Sequence, residues 1–91
     1  MTAGGYRLVV AATAERSLAR LPEAVAAAIV ELMVGPLLEA PHRLGHPLRG
    51  ELAGLRSARR GAYRVIYGID DDAGDVTVLR IDHRSDAYRK R

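Results

Sequence analysis

The chain has 91 residues, a formal net charge of +3 and no cysteine, so one small domain over residues 1–91 is expected and disulfides and thiolate metal sites are excluded. An apolar share of 48% without phenylalanine or tryptophan calls for a core of Ala, Val, Leu and Ile, and is too high for a disordered chain. No apolar run approaches the ~20 residues that cross a bilayer, and residues 1–6 lack the basic and apolar parts of a signal peptide, so a soluble cytoplasmic protein with no membrane partner is expected.

Residues 6–11 (YRLVVA) predict a first strand, with Tyr6, Leu8 and Val10 on one face. Thr13 is a candidate N-cap for a helix over residues 14–21, in which Ala14, Leu18 and Leu21 form an apolar stripe. Pro22 fits a first helical position better than a helix interior, so a second helix starts there. Val25, Ile29, Leu32 and Met33 mark its buried face, and Gly35-Pro36 closes it. The two helices make an αα-hairpin that should lie across a sheet. Residues 37–51 read as an irregular connection, with Pro41, Gly45, Pro47 and Gly50 as breakers. Two ribbon strands follow, over residues 55–60 and 63–70, joined by a turn at Arg60-Gly61-Ala62. Residues 71–74 (DDAG) form a hairpin turn, and residues 75–83 form the last strand, with Leu79 and Ile81 as its apolar pair. Residues 85–90 can make one terminal helical turn.

Charge is unevenly placed along this order. Residues 1–40 carry three arginines and four glutamates, and residues 70–91 carry four arginines, one lysine and six aspartates. Between them, residues 41–69 carry six arginines and one glutamate. The positive field therefore centres on the ribbon, where Arg56, Arg59, Arg60 and Arg64 fall within residues 54–67. Alternation puts Tyr63, Val65 and Tyr67 on one face and Arg64 and Ile66 on the other. Tyr63 and Tyr67 are read mainly as packing residues. A ribbon that presents guanidinium groups at fixed positions suits an anionic, shaped partner such as RNA.

RNA can be cleaved without a metal when the 2′-oxygen attacks the adjacent phosphate and the 5′-oxygen leaves. Such a site needs a base, an acid and donors for the charge that builds on phosphorus. Arg64, mid-strand, suits the charge-stabilising role, because arginine stays protonated. Asp82 is an available structural partner for it. His83, Arg84 and Tyr88 cluster at the C-terminal end. Histidine has the best intrinsic range for proton transfer, and neighbouring arginines would lower the pKa of a tyrosine. His42 and His46 have a zinc-like spacing, but Gly45 and Pro47 interrupt any helix and no third ligand is apparent. No metal or cofactor is expected. The residues alone lead to a small α/β domain with a basic ribbon that binds nucleic acid.

At these positions the chain resembles the RelE/ParE toxin superfamily of bacterial type II toxin–antitoxin systems. The match runs through Pro47-Leu48-Arg49-Gly50, the stretch Gly54-Leu55-Arg56-Ser57-Ala58-Arg59-Arg60-Gly61-Ala62-Tyr63-Arg64-Val65-Ile66-Tyr67, and the terminal His83-Arg84-Ser85-Asp86-Ala87-Tyr88-Arg89. The opening strand and the helix before Leu21-Pro22 also fit. The resemblance implies an α+β, compact microbial RNase fold. In it an N-terminal strand and an αα-hairpin pack on a mainly antiparallel four-stranded sheet, in the order β-α-α-β-β-β with a short helical tail. It implies a toxin that acts as a ribosome-dependent endoribonuclease, cleaving mRNA without a metal and halting translation. It also implies a RelB-like antitoxin, the ribosome and mRNA as partners. Matched by position, Arg64 and Tyr88 carry over as catalytic residues, with Arg84 or His83 at the C-terminal basic position. Arg56, Arg59 and Arg60 would bind RNA. The alternating lysine pair of lysine-rich members is not reproduced, which leaves the general base open. The ParE branch, which poisons DNA gyrase without nuclease residues, and an inactive relative that only binds its antitoxin are the alternatives.

Overall fold

The computed structural model describes residues 2–3 and 5–85. The C-terminal helical turn and Tyr88 lie outside the described residues. After a two-residue strand, β1 (Thr2–Ala3), comes β2 (Tyr6–Val10), whose alternating burial follows the Tyr6/Leu8/Val10 parity of the sequence. Helix α1 (Ala12–Arg20) then begins after one intervening residue, Ala11. Its N-cap is Ala11, not Thr13, and no side chain caps it. The Ala11 N–H is still spent on the sheet, donating to the Val78 carbonyl (2.9 Å), while the Ala11 carbonyl already accepts from Glu15 N–H (3.0 Å). Ladder and helix therefore overlap at one residue, and Thr13 falls inside the first turn. Its carbonyl there accepts from the Ser17 hydroxyl (3.1 Å).

Helix α2 (Glu23–Val34) starts one residue later than the sequence suggests, with Pro22 as its N-cap. Proline has no N–H to lose there, and its carbonyl accepts from Ala26 N–H at 2.9 Å. Ile29, Leu32 and Met33 are buried, as their spacing requires.

The expected irregular connection is a correction. Pro36 and Pro41 open helices instead of breaking them, because a fixed φ and a missing N–H suit a first turn. They start two one-turn helices, α3 (Pro36–Glu39) and α4 (Pro41–Leu44). Leu37 and Leu38 of α3 are fully buried. A short strand β3 (His46–Pro47) and a 3-10 turn (Gly50–Leu52) lead into β4 (Arg56–Arg60). The ribbon continues through β5 (Tyr63–Asp70), and β6 (Asp75–His83) is the last strand. Gly61 and Gly74 turn the two hairpins with φ of 60° and 74°.

The sheet runs β1-β2-β6-β5-β4-β3. β2 pairs parallel with β6, and the other pairings are antiparallel. The four long strands are those the sequence predicts, and the two-residue strands extend each edge. One face packs on the helices through Ala58, Val65, Tyr67, Val76, Val78 and Ile81, with Ala14, Ile29, Met33, Leu37 and Leu38 opposite. The Tyr67 hydroxyl, inside this core, donates to the Pro41 carbonyl at 2.7 Å.

A second correction concerns β6. Ile66 pairs with Arg80 and Tyr67 with Val78, so Leu79 is the extra residue of a β-bulge. The bulge lets Val78 and Ile81, three residues apart, face the same core, while Leu79 stays half-exposed. It also turns Arg80 and Asp82 toward the face on which no described helix packs.

Candidate functional site

On that open face, register alone assembles a row. Arg59 of β4 lies directly opposite Arg64 of β5, which lies directly opposite Asp82 of β6. One step along, Ser57 lies between His46 of β3 and Ile66 of β5. Leu44, His46, Leu48, Ser57, Arg59 and Arg64 line a groove of about 490 Å3. Like charges directly opposed on a sheet repel, so Arg59 and Arg64 leave this groove in need of a counter-anion. The obvious internal one is already engaged. Asp82 faces Arg64 in register, yet its Oδ2 accepts from Arg80 Nε (3.1 Å) and Nη2 (3.0 Å). Arg64 is half-buried, and its Nε is buried with no hydrogen-bond partner among the described residues. A half-buried arginine whose Nε has no partner among the described residues, beside an open groove, is suited to an oxyanion delivered from outside.

The other arginines of the ribbon face elsewhere. Arg56 shares the helix-side parity of Tyr67, and its Nη2 donates to the carbonyls of His42 (2.7 Å) and Gly45 (2.8 Å). It clamps the end of α4 to β4. Arg60 is exposed and borders a second, apolar groove of about 360 Å3 between α2 and the β4–β5 turn, lined also by Val25, Ala28, Ile29 and Tyr63.

The C-terminal cluster divides. His83 pairs with Tyr63 across the ladder, and the two rings meet edge to face at 4.9 Å. This is the helix-side parity, opposite to that of Arg64. The His83 ring nitrogen Nδ1 is 2.8 Å from the Ser85 hydroxyl and accepts from Ser85 N–H at 3.1 Å. Arg84 is exposed, and its N–H donates to the Ala62 carbonyl at 2.7 Å, extending the ladder by one bond.

Two groups in or beside the groove were missed by sequence reasoning. The sequence offers His46 only as a partner of His42 at zinc-like spacing, yet the two separate. His42 Nε2 lies 3.0 Å from Asp71 Oδ2, at the end of the sheet where Tyr6 OH also donates to Asp71 Oδ1 (2.6 Å). His46 instead lines the groove. Its one sequence signal is its place just before Pro47-Leu48-Arg49-Gly50. The Arg80–Asp82 pair was hidden by the bulge.

Comparison with known proteins agrees with this architecture. The family model described as ParE toxin of type II toxin–antitoxin system, parDE, matches residues 8–88. The chain is 57% identical over 84 residues to Toxin RelE of Mycobacterium tuberculosis, covering 92% of this chain and 87% of that protein. The chain belongs to the RelE/ParE toxin family. Toxin RelG of the same organism is 51% identical over 85 residues, covering 93% and 98% of the two chains. The crystal structure of the toxin–antitoxin complex RelBE2 from M. tuberculosis superposes with a TM-score of 0.84 at 49% identity, over 89% of this chain and 93% of that one. The isolated E. coli RelE toxin shares the fold at a TM-score of 0.72 and 22% identity, over 86% and 83%. Among RelE/ParE toxins, then, this chain carries the family sheet with an arginine pair, a serine and a histidine on its open face. No described helix is long and apolar enough to cross a membrane.

Proposed function

We propose that this RelE/ParE-family chain is an mRNA-cleaving toxin that acts on ribosome-bound message and stops translation. The observation that carries the reading is Arg64: a half-buried arginine, opposite Arg59, whose cross-strand carboxylate neighbour Asp82 is held by Arg80. In this reading Arg64 binds the scissile phosphate and stabilises the charge that grows on it as the 2′-oxygen attacks. Arg59 and Arg60 guide the RNA backbone, and Arg56 fixes the wall of the site through its carbonyl clamp. The C-terminal segment completes the site. Tyr88 serves in proton transfer and Arg84 supplies further charge. His83 acts through its contacts with Tyr63 and Ser85, holding the start of that segment. No cofactor or metal enters this scheme.

The partner in this reading is a RelB-like antitoxin. An acidic segment of it would neutralise the arginine face, and its apolar side chains would enter the groove between α2 and the β4–β5 turn.

The test is primer extension on cellular mRNA after brief induction, with and without the product of the adjacent gene. Cuts within translated frames that the neighbouring gene product suppresses are expected. Arg64→Ala should fold and still bind that product, while cleavage falls by roughly 10²–10³-fold, the usual effect of losing one transition-state charge donor. Intact mRNA with inhibited DNA gyrase would assign the chain to the ParE mode of action.

A further inference from the structure

We propose that His46 is the general base of the groove, the group that takes the proton from the attacking 2′-hydroxyl. The inference rests on the nuclease reading and names the residue which that reading leaves open.

Three observations carry it. The first is chemical. Of the groove-lining residues, Arg59 and Arg64 remain protonated, and Ser57, Leu44 and Leu48 cannot accept a proton at neutral pH. His46 is the one lining group whose type exchanges protons in that range. The other two histidines are committed: His42 to Asp71, and His83 to Ser85 on the opposite face. The His46 ring is exposed, and no side chain among the described residues hydrogen-bonds to it.

The second observation is geometric. β3, β4 and β5 are consecutive strands, and His46 pairs with Ser57, two residues from Arg59 on the same face. Two strand spacings and one two-residue step put the His46 and Arg64 backbones about 12 Å apart. The two side chains can meet a nucleotide from opposite ends of that gap. The ring bonds to the ribose hydroxyl, and the guanidinium bonds to the phosphate. An in-line displacement also needs base and acid on opposite sides of phosphorus. His46 lies on the β3 side of Arg64, which leaves the β6 side for the acid.

The third is anchorage. His46 sits in a two-residue strand that would be loose alone, yet its neighbour Gly45 is clamped by Arg56 and pressed on β4. A Cβ at Gly45 would lie 2.6 Å from the Ser57 carbonyl oxygen. The backbone that carries the ring is therefore fixed, while the ring makes no hydrogen bond among the described residues.

In the step proposed, a His46 ring nitrogen takes the 2′-hydroxyl proton and the 2′-oxygen forms a bond to phosphorus. The P–O5′ bond breaks, and the 5′-oxygen receives a proton from the acid on the opposite flank. The products are a 2′,3′-cyclic phosphate and a 5′-hydroxyl, with the base left protonated until solvent resets it.

The test is single-turnover cleavage of mRNA on programmed ribosomes, comparing wild type with His46→Gln across pH 5.5–9. His46→Gln should keep its thermal midpoint, because the side chain is exposed, and should lose roughly 10²-fold or more in rate. The rising limb of the wild-type pH profile should vanish with it. Added imidazole should partly restore cleavage by His46→Ala. A substrate with sulfur in place of the 5′-oxygen at the mapped cut needs no acid, so it should leave the His46→Gln defect intact. Rescue by that substrate would make His46 the acid and overturn the assignment. So would a His46→Gln enzyme with wild-type rate and profile, which would leave the nuclease reading standing. A wild-type protein that cleaves no RNA would end both.

Discussion

At the scale of single residues, the site depends on which charges are already satisfied. Arg64 and Asp82 are direct neighbours across the β5–β6 ladder. A pair so placed would normally bond, and Arg64 would then be a structural residue. Instead Arg80 holds Asp82 through two nitrogens of one guanidinium. Arg80, although outside the groove, thereby keeps Arg64 available. Arg80→Ala should release Asp82 to pair with Arg64 and compete with phosphate, lowering cleavage several-fold. Removing the competitor in Arg80→Ala/Asp82→Ala should bring the rate back toward wild type. A double-mutant cycle on cleavage rate measures this, and the expected signature is strong non-additivity. Additive losses would mean that Arg80 contacts RNA on its own account.

At the scale of elements, the groove exists because β3 is pressed onto β4. Gly45 permits that approach: its Cα sits so close to β4 that a methyl group would lie 2.6 Å from both the Ser57 carbonyl oxygen and the Tyr67 hydroxyl. Both neighbours are fixed, Ser57 as ladder backbone and Tyr67 by its bond to the Pro41 carbonyl. Gly45→Ala must therefore push α4 and β3 outward. Overpacking of this kind costs about 1–3 kcal/mol, and denaturant unfolding should show it. Cleavage should fall further than the stability loss explains, because His46 moves with β3. The bulge at Leu79 acts on the other strand. Were Leu79 paired in a regular ladder instead, Arg80 and Asp82 would share the face of Val78 and be driven into the helical side, where two charges could not be solvated.

At the scale of the whole molecule, distant segments are tied at one end of the sheet by Asp71. It accepts from Tyr6 at the start of β2 and pairs with His42 of α4, 65 and 29 residues away in sequence. The Tyr6 hydrogen bond, and then that from His42, hold the Asp71 carboxyl below the usual carboxylate range. A depressed folded-state value means that this contribution to stability is present above the unfolded value near pH 4. It is lost as pH falls through the lower folded value. Wild type should therefore lose more thermal stability than Asp71→Asn between about pH 5 and pH 2. The cluster is solvent-exposed, so the difference should be small and should shrink in high salt. Equal acid sensitivity in the two proteins would show that Asp71 does not couple these segments.

The sequence by itself determined the elements whose periodicity is local. The Tyr6/Leu8/Val10 alternation, the Ile29/Leu32/Met33 face and the glycine turns each follow from the geometry of one short segment, and each stands in the structure. The family could be read from the ribbon and the terminal motif for the same reason, since both are contiguous. Only the tertiary structure decided which prolines start helices, because Pro36 and Pro41 could equally have ended them without α3 and the Tyr67 hydroxyl to pack against. It alone decided the bulge at Leu79, which depends on pairing with β5 and leaves no mark on the composition of β6. The site followed the same division. The face on which Arg64 lies was legible from strand parity, but the engagement of Asp82, the carboxylate opposite it, depends on an ion pair set by that bulge. The place of His46 beside it depends on a two-residue strand that no periodicity could reveal. Parity is a property of one strand, whereas a groove is a property of several strands in register.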